Sequence, residues 1–294
     1  MHTSLDCLPC FLRQALKAAR VAAPDNGAAH EATVRAWAAY LAEADLTRPA
    51  PCLAGDLYPM ATRLAGVDDP YAAHKHAANT RVLDLLPGLA GVVAASPDPL
   101  HAALALAIIG NYIDAGVDHA FDWEHALADE THVFSGAHGN GDAYTAFAHA
   151  ACDGARVLIL GDNAGEIGLD TLLVRQLKGR GCAVTYAVRG APILNDATLE
   201  DAAFVGMDAL CEVVSSGSDA PGTVRSRVTP GFAARMADAD CIVSKGQGNL
   251  ESLYGTPWPG LPPVYYAFKA KCPVIATKLH VREGASLFIS EPAR

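Results

Sequence analysis

Four short runs of this sequence combine carboxylate, amide, hydroxyl and basic side chains with glycines. The runs are Gly161-Asp162-Asn163-Ala164-Gly165-Glu166, Arg189-Gly190 with Asn195-Asp196-Ala197-Thr198, Ser215-Ser216-Gly217-Ser218-Asp219 with Gly222-Thr223, and Lys245-Gly246-Gln247-Gly248-Asn249-Leu250-Glu251. Carboxylate and amide oxygens are the ligands that Mg²⁺, Mn²⁺ and related hard ions prefer. Arg189 and Lys245 suit phosphate oxygens, and glycine-rich turns that enter helices present free N–H groups to anions. We interpret the set as a metal site combined with a phosphate site.

Each run also has an ordinary structural interpretation. Asp162 or Asn163 could cap the helix that follows, and Asp196 with Thr198 could begin another helix. Lys245 could be a solvated surface residue, and Gly-x-Gly without a third glycine is a weak nucleotide signal. Helix caps alone do not explain why all four runs fall in equivalent positions, so their co-location favours the functional interpretation.

A dinucleotide site is a competing interpretation. Such a site needs an acidic residue near the end of the second strand to bind the ribose hydroxyls, and this chain has Arg189 there. The first run also lacks the pattern G-x-G-x-x-G. A methyltransferase that uses S-adenosylmethionine would favour a similar acidic residue, so both classes are disfavoured.

The four runs follow predicted strands in the second half of the chain. Strands are predicted at 157–160, 183–188, 212–215, 241–244 and 274–277, and helices at 166–178, 196–205 and 232–238. Continuous apolar strands that alternate with helices predict a parallel sheet covered on both faces. Ligands of such sheets bind outside the carboxyl ends of the strands, which is where the runs lie.

The first half of the chain has helical spacing of its apolar residues. Helices are predicted at 7–22, 31–44, 71–86 with a break at Pro87, and 100–113, where the chain is apolar all round. The glycine-rich segment 135–142 is predicted to be a loop. We therefore predict an α/β fold with a helical domain over 1–150 and an α/β domain over 151–294.

The combination of motifs resembles the damage-control phosphatase family, also described as domain of unknown function 89. The first, second and fourth runs carry the resemblance in the α/β half. The prokaryotic branch of the family is matched in the helical half by Cys7-Leu8-Pro9-Cys10, by Asp69-Pro70-Tyr71 with Lys75 and Asn79, and by Gly110-Asn111-Tyr112-Ile113-Asp114. The resemblance thus covers nearly the whole chain.

The resemblance implies a Rossmann-like three-layer domain joined to the N-terminal helices. It implies a divalent cation (Mn²⁺, Ni²⁺, Co²⁺ or Mg²⁺) held by Asp162, Asn163 and Asp196. Family members remove phosphate from sugar phosphates and phosphopantetheine-type metabolites, so a small phosphorylated metabolite is the expected substrate. One eukaryotic relative is described as a carboxyl methyltransferase, so S-adenosylmethionine-dependent methylation is the alternative. A non-catalytic metal- or metabolite-binding protein is a further alternative.

Roles for individual residues follow from these expectations. The predicted catalytic residues are Asp162, Lys245, Glu166, Asn111 and Asp114. The predicted substrate-binding residues are Arg189, Ser216, Asp219, Thr223 and Asn249. Lys245 is expected to hold a phosphate oxygen, and Glu166 or Glu251 to support the ligands or transfer a proton. Water rather than Asp162 is the expected nucleophile, because the metal occupies that carboxylate and position 164 is an alanine rather than a second aspartate.

Three N-terminal motifs keep two interpretations. Asn111 and Asp114 interrupt an apolar helix, so they either close over the metal edge of the sheet or tie helices together. Lys75 and Asn79 share a helix face, and the same choice applies to them. The pair Cys7 and Cys10 could belong to half a zinc site or a redox pair, or could be two small apolar residues, and it is left unassigned.

Composition limits the partners. The chain has 294 residues and a net charge of −10, which opposes binding to nucleic acid and to anionic membranes. It has no apolar run of the ~20 residues that a spanning helix needs and no visible secretory signal. Eight scattered cysteines in a chain of this size are typical of a reduced compartment, so we expect a cytoplasmic protein. The sequence leaves the oligomeric state open.

Overall fold

Six strands form one sheet in the computed structural model, which describes residues 1–110 and 140–291. The strands are β1 (Arg156–Leu160), β2 (Ala183–Val188), β3 (Glu212–Ser215), β4 (Cys241–Lys245), β5 (Val264–Lys269) and β6 (Ser286–Ser290). Their order is β3-β2-β1-β4-β5-β6, with β6 antiparallel to β5 and the other neighbours parallel. The order reverses between β1 and β4, and sheets of this type bind ligands at that point.

Eleven helices are present in the described residues. They are α1 (Cys7–Ala22), α2 (Gly27–Ala42), α3 (Ala50–Ala65), α4 (Ala72–Ala95), α5 (Pro99–Ile109), α6 (Asn140–Ala150), α7 (Glu166–Gly179), α8 (Leu199–Phe204), α9 (Pro230–Asp238), α10 (Gln247–Leu253) and α11 (Pro273–Lys278). None of the helices in this part of the chain is both long and apolar enough to cross a bilayer.

Two apolar cores cover the two faces of the sheet. Alternate strand residues such as Val157, Ile159 and Val243 pack with α4, α5, α6 and α7 on one face. Their neighbours Leu158 and Ile242 pack with α9, α10 and α11 on the other face. The period of two along each strand produces this division, and the three-layer α/β prediction is confirmed.

A third core joins α1, α2 and α3. Trp37 and Leu53 are fully buried in it, and Ile193 enters it from the loop that follows β2. The N-terminal helices therefore pack in two ways: α1 to α3 form their own core, whereas α4 and α5 share a core with the sheet. The domain boundary at 150 stays a prediction.

Several predicted elements differ from the structure. The predicted strand at 274–277 is wrong, because those residues lie in α11, where Pro273 occupies a first-turn position that needs no N–H donor. The actual fifth strand is β5. Pro87 does not break α4, which continues to Ala95 while the flanking Val82 and Leu89 stay buried.

Other differences concern element ends. The predicted loop 135–142 is partly helical, because α6 begins at Asn140, and residues 135–139 lie outside the described part. Helix α8 begins three residues later than predicted, after a capping box of Thr198 and Asp201. Helix α3 was not predicted, since Gly55 and Pro59 interrupt its pattern.

Candidate metal and phosphate site

The loops after β1 and β2 are joined directly beyond the ends of those strands. The Ala164 N–H donates to the Asn195 carbonyl, and the Ala197 N–H donates to the Asp162 carbonyl, both at 2.8 Å. Asn163 and Asp196 form an isolated antiparallel bridge between these bonds. Because β1 and β2 are parallel neighbours, their carboxyl ends bring the three predicted metal ligands together.

The three predicted metal ligands are buried and carry hard oxygen atoms. Asp162, Asn163 and Asp196 are all less than one-tenth exposed. Asn163 Nδ2 donates to Asp162 Oδ2 (3.1 Å) and to Glu166 Oε1 (2.8 Å), which leaves its Oδ1 as the atom for a cation. A Cβ at Gly246 would lie 2.0 Å from Asp162 Oδ2, so only glycine leaves room for this carboxylate.

Glu166 and Lys245 lie behind the metal ligands. Lys245 Nζ donates to Asp170 Oδ1 at 2.7 Å and lies 3.5 Å from Glu166 Oε2, and its side chain is fully buried. The Tyr186 hydroxyl donates to the other oxygen of Asp170 at 2.7 Å. The expected phosphate role of Lys245 therefore conflicts with its position, since its ammonium is committed to carboxylates beneath the surface.

Arg189 contacts both metal loops. Its Nε donates to Asp196 Oδ2 (2.6 Å), its Nη1 donates to Asn249 Oδ1 (3.2 Å), and its Nη2 lies 3.7 Å from Asp162 Oδ1. Nη2 is buried and has no hydrogen-bond acceptor among the described residues. A buried donor without an acceptor is costly, and a phosphate oxygen would satisfy it.

Asn249 and Thr223 support Arg189. The Asn249 amide donates to the carbonyls of Gly161 and Lys245, at 3.1 and 2.7 Å, which ties the ends of β1 and β4 together. Its Oδ1 also accepts the Thr223 hydroxyl at 2.8 Å. These contacts give Asn249 and Thr223 a positioning role in the site.

The other predicted substrate residues lie farther along the third loop. Ser216 donates its hydroxyl to the Val188 carbonyl at 2.9 Å, so this group holds β3 to β2. Asp219 is half exposed and accepts a bond from Arg227 Nη1 at 2.7 Å. Neither side chain contacts the three metal candidates within the described residues.

Lys271 is a basic residue at this edge that the motifs did not identify. It follows β5, its side chain is exposed, and its N–H donates to Gln247 Oε1 at 2.8 Å. Its charge opposes the rise in the pKa of Glu166 and Asp196, so its ammonium lies within electrostatic range of both. The wrong placement of the fifth strand hid this residue, because the loop after β5 was not recognised.

The charges of the cluster favour a divalent cation. Four buried carboxylates (Asp162, Asp170, Asp196 and Glu166) face two buried cations (Arg189 and Lys245), which leaves two negative charges over. Burial raises the pKa of Glu166 to about 7 and outweighs the charge of Lys245. Burial also raises the pKa of Asp196 to about 7, against the effect of Arg189. In the absence of an ion, the cluster therefore retains protons near neutral pH.

The donor set fits a hard divalent ion. Within residues 1–110 and 140–291, no three acidic, histidine or cysteine side chains form a metal-binding group by themselves. The predicted set has two carboxylates and one amide oxygen, so it does not depend on such a group. Oxygen donors with excess negative charge suit Mg²⁺ or Mn²⁺.

Two of the N-terminal motifs have different outcomes. Asn111 and Asp114 lie outside the described residues, although the preceding Gly110 packs against Glu166. Asn79 accepts the Gly165 N–H (2.7 Å) and donates to Asp201 (2.8 Å), so it braces the metal loop.

The remaining residues of interest lie away from the cluster. Cys7 and Cys10 are free thiols, and burial raises the pKa of Cys7, which keeps it protonated. The Glu251 carboxylate accepts a bond from Gln247 Nε2 at 2.6 Å and contacts none of the metal candidates in the described chain. Asp170 was missed because it stands inside a helix, outside every polar run.

The chain is similar to known proteins over most of its length. A family model described as the damage-control phosphatase ARMT1-like domain matches residues 3–287. A protein of Archaeoglobus fulgidus named "damage-control phosphatase" is 33% identical over 248 residues, which are 83% of this chain and 84% of that protein. A protein of Pyrococcus horikoshii with the same designation is 29% identical over 295 residues, covering 97% of this chain and 96% of that protein.

A solved structure has the same fold. The crystal structure of a DUF89 family protein from Pyrococcus horikoshii matches with a TM-score of 0.82 and 24% identity, over 98% of this chain and 99% of that one. At this identity, the likeness establishes the architecture of the chain.

Proposed function

This chain belongs to the damage-control phosphatase ARMT1-like family, and from that premise we propose that it hydrolyses small phosphate monoesters with the help of a divalent cation. Mn²⁺, Ni²⁺, Co²⁺ and Mg²⁺ are the candidate ions, and Asp162, Asn163 and Asp196 are the residues that would hold one. The cytoplasm is the proposed compartment, because the free cysteines suit a reducing environment.

The observation that carries this proposal is the excess of two buried carboxyl groups over buried cations at the carboxyl ends of β1 and β2. Buried carboxylates without matching cations are unfavourable unless an ion or a proton compensates them. A divalent cation bound there would neutralise charge on a phosphate group and increase the acidity of water.

Phosphate recognition is proposed for Arg189 and Lys271. Arg189 offers the unsatisfied Nη2 donor beside Asp162, in a position fixed by Asp196 and Asn249. Lys271 offers an exposed ammonium at the same edge. Together they would offer one buried and one exposed positive charge to the phosphate oxygens.

Lys245 is proposed to act on Glu166 rather than on substrate. Its ammonium stabilises the ionised forms of Glu166 and Asp170 from beneath the site. Glu166 can then accept a proton or hold Asn163 through the 2.8 Å bond to Nδ2. Substrate contact by Ser216 and Asp219 remains a proposal. Ser216 would contribute through the backbone of its loop, and Asp219 would contribute at the outer rim of that loop.

The test measures release of inorganic phosphate from a panel of phosphate esters, after chelation and after addition of each of the four ions. Calorimetry follows ion binding to the same protein. We expect activity only with an ion, and micromolar to millimolar binding that Asp196→Asn removes. Full activity in excess chelator would contradict the metal proposal.

Two variants separate the phosphate role from general charge effects. Lys271→Ala is expected to raise KM about 10-fold, since at an exposed residue it removes a charge-assisted hydrogen bond of about 1.5 kcal/mol. Lys278→Ala, at another exposed lysine beyond the same strand, is the matched control and should leave KM unchanged.

Methylation of a carboxylate with S-adenosylmethionine, or binding without turnover, would support the alternative functions instead.

A further inference from the structure

A cavity of about 340 Å³ lies between α1, α3, the turn before α4 and the loop after β2. Its apolar walls are formed largely by Tyr58, Pro70, Tyr71, Ile193 and Leu194. This volume suits a small organic group rather than a macromolecule. The proposed phosphate site does not account for this cavity.

The charged residues of the cavity wall are all acidic. Asp68, Asp69 and Asp219 line it, and the described lining contains neither lysine nor arginine. Asp69 pairs with Lys75 at 2.9 Å, and Asp219 pairs with Arg227 at 2.7 Å.

Asp68 differs from the other two carboxylates of the wall. It makes no ion pair within residues 1–110 and 140–291. An unpaired carboxylate at the mouth of a cavity attracts cations and repels anions.

Tyr58 is a buried residue that lines this space. It is 7% exposed, and its hydroxyl makes no hydrogen bond in the described part of the chain. Its ring packs edge-on against Trp37, with centroids 5.1 Å apart. A ligand hydroxyl or amine would supply the missing partner.

The cavity and the metal site share one rigid loop. Leu194 lines the cavity and precedes Asp196 by two residues, a span of at most about 7 Å. The loop is held by Ile193 in the core of α1 to α3 and by the bond from the Asp196 N–H to the Ile193 carbonyl, 3.1 Å. Leu194 adopts φ +49°, which is unfavourable for leucine and requires such support.

We propose that this cavity binds the alcohol portion of the phosphate ester and selects alcohols that carry an amine. Asp68 supplies the charge, the faces of Tyr58 and Tyr71 suit a cation, and the Tyr58 hydroxyl supplies a hydrogen bond. A second phosphate or a carboxylate on the alcohol is disfavoured, since the wall offers it no cation. This inference rests on the proposed function.

The test uses three phosphate esters of two-carbon alcohols: O-phosphoethanolamine, 2-hydroxyethyl phosphate and phosphoglycolate. The far end of the alcohol is positive, neutral and negative, respectively. We expect kcat/KM to fall in that order. Asp68→Asn should reduce the preference for the amine over the hydroxyl by about 3- to 10-fold, the effect of one partly solvated charge at close range. Asp208→Asn, at an exposed aspartate between α8 and β3, is the control and should leave the preference unchanged.

A binding measurement separates this inference from the proposed function. Ethanolamine, titrated into the protein, should change the fluorescence of Trp37 through its contact with Tyr58, and Trp37→Phe should remove that change. Tyr58→Phe should weaken ethanolamine binding several-fold while keeping the fold.

Two outcomes would overturn the cavity proposal. One is equal kcat/KM for the three esters, or a preference for phosphoglycolate, while p-nitrophenyl phosphate is hydrolysed with metal. The other is the absence of a Trp37 signal with ethanolamine. Failure to hydrolyse p-nitrophenyl phosphate or any ester, with the Trp37 signal present, would instead sink the proposed function and leave the cavity assignment supported.

Discussion

Replacing Asn79 by alanine tests whether helix α4 controls the metal site. Asn79 lies on α4 and is 1% exposed. Its Oδ1 accepts the Gly165 N–H at 2.7 Å, two residues after Asn163, and its Nδ2 donates to Asp201 Oδ1 at 2.8 Å, at the start of α8. One side chain thus connects the segments that carry both metal loops.

The expected magnitude follows from the two bonds. The substitution leaves the Gly165 N–H buried without an acceptor, which costs about 1–3 kcal/mol. It also removes one of the donors that stabilise Asp201, so the free energy of unfolding should fall by about 2–4 kcal/mol. Groups that orient metal ligands typically change metal affinity about 10- to 100-fold, and we expect a loss of this size.

The assay combines denaturant unfolding with calorimetric titration of Mn²⁺. Thr80→Ala is the matched control, because among residues 1–110 and 140–291 the Thr80 hydroxyl bonds only to the His76 carbonyl within α4. Asn79→Asp keeps an acceptor for Gly165 but places a second carboxylate beside Asp201. It should therefore lose stability even though the residue is nearly isosteric.

A folded Asn79→Ala variant with the same Mn²⁺ affinity as the unmodified protein would refute this reasoning. It would mean that the loop after β1 keeps its shape through its bonds to the loop after β2 alone. Rescue of affinity by Asn79→Gln would not be expected, since the longer side chain cannot enter the space between Ala78 and Gly165, where a Cβ on the glycine would already lie 3.1 Å from Ala78 Cβ.

Four further predictions concern the metal, the thiols and the mechanism. Gly246→Ala should abolish metal binding in calorimetry, because its Cβ would lie 2.0 Å from Asp162 and its φ of +79° is unfavourable for alanine. The metal-free protein should lose stability as pH rises through about 7. The reason is that burial raises the folded-state pKa of Glu166 to about 7, whereas the unfolded value is about 4.3. Saturating metal should remove that loss, and pH-dependent denaturation measures both effects. The double variant Cys7→Ser, Cys10→Ser should keep its kcat, because burial holds the Cys7 thiol protonated; loss of kcat in a folded variant would contradict this. Single-turnover hydrolysis in ¹⁸O-water should label the released phosphate, whereas label on the peptide containing Asp162 would indicate an aspartyl intermediate.

The position of the site could be predicted from the sequence because it depends on strand ends. The apolar runs that became β1, β2 and β4 are short, continuous and followed at once by polar residues, so their carboxyl edge was evident. The meeting of Asp162, Asn163 and Asp196 follows from the parallel pairing of β1 with β2.

The roles of the basic residues could not be predicted in the same way. Burial decides the roles of these basic residues. The burial of Lys245 depends on its ion pair with Asp170, and Asp170 lies inside a helix and belongs to no motif. Lys271 depends on β5, whose run Val-Tyr-Tyr-Ala-Phe-Lys competes with the apolar segment that follows Pro273. Both segments suit a strand locally, and only packing of Tyr265 against Phe147 and Phe288 distinguishes them.

The fourth polar run positions other residues of the site in addition to making contacts of its own. Three of its residues serve different neighbours: Gly246 makes room for Asp162, Asn249 fixes Arg189, and Gln247 holds the backbone of Lys271. Lys245 lies below these residues and compensates Glu166 and Asp170, which burial alone would keep protonated. By favouring the ionised form of Glu166, Lys245 maintains a proton acceptor beside Asn163. On this reasoning, Lys245→Met should leave Glu166 protonated and lower kcat, whereas loss of a direct phosphate contact would raise KM.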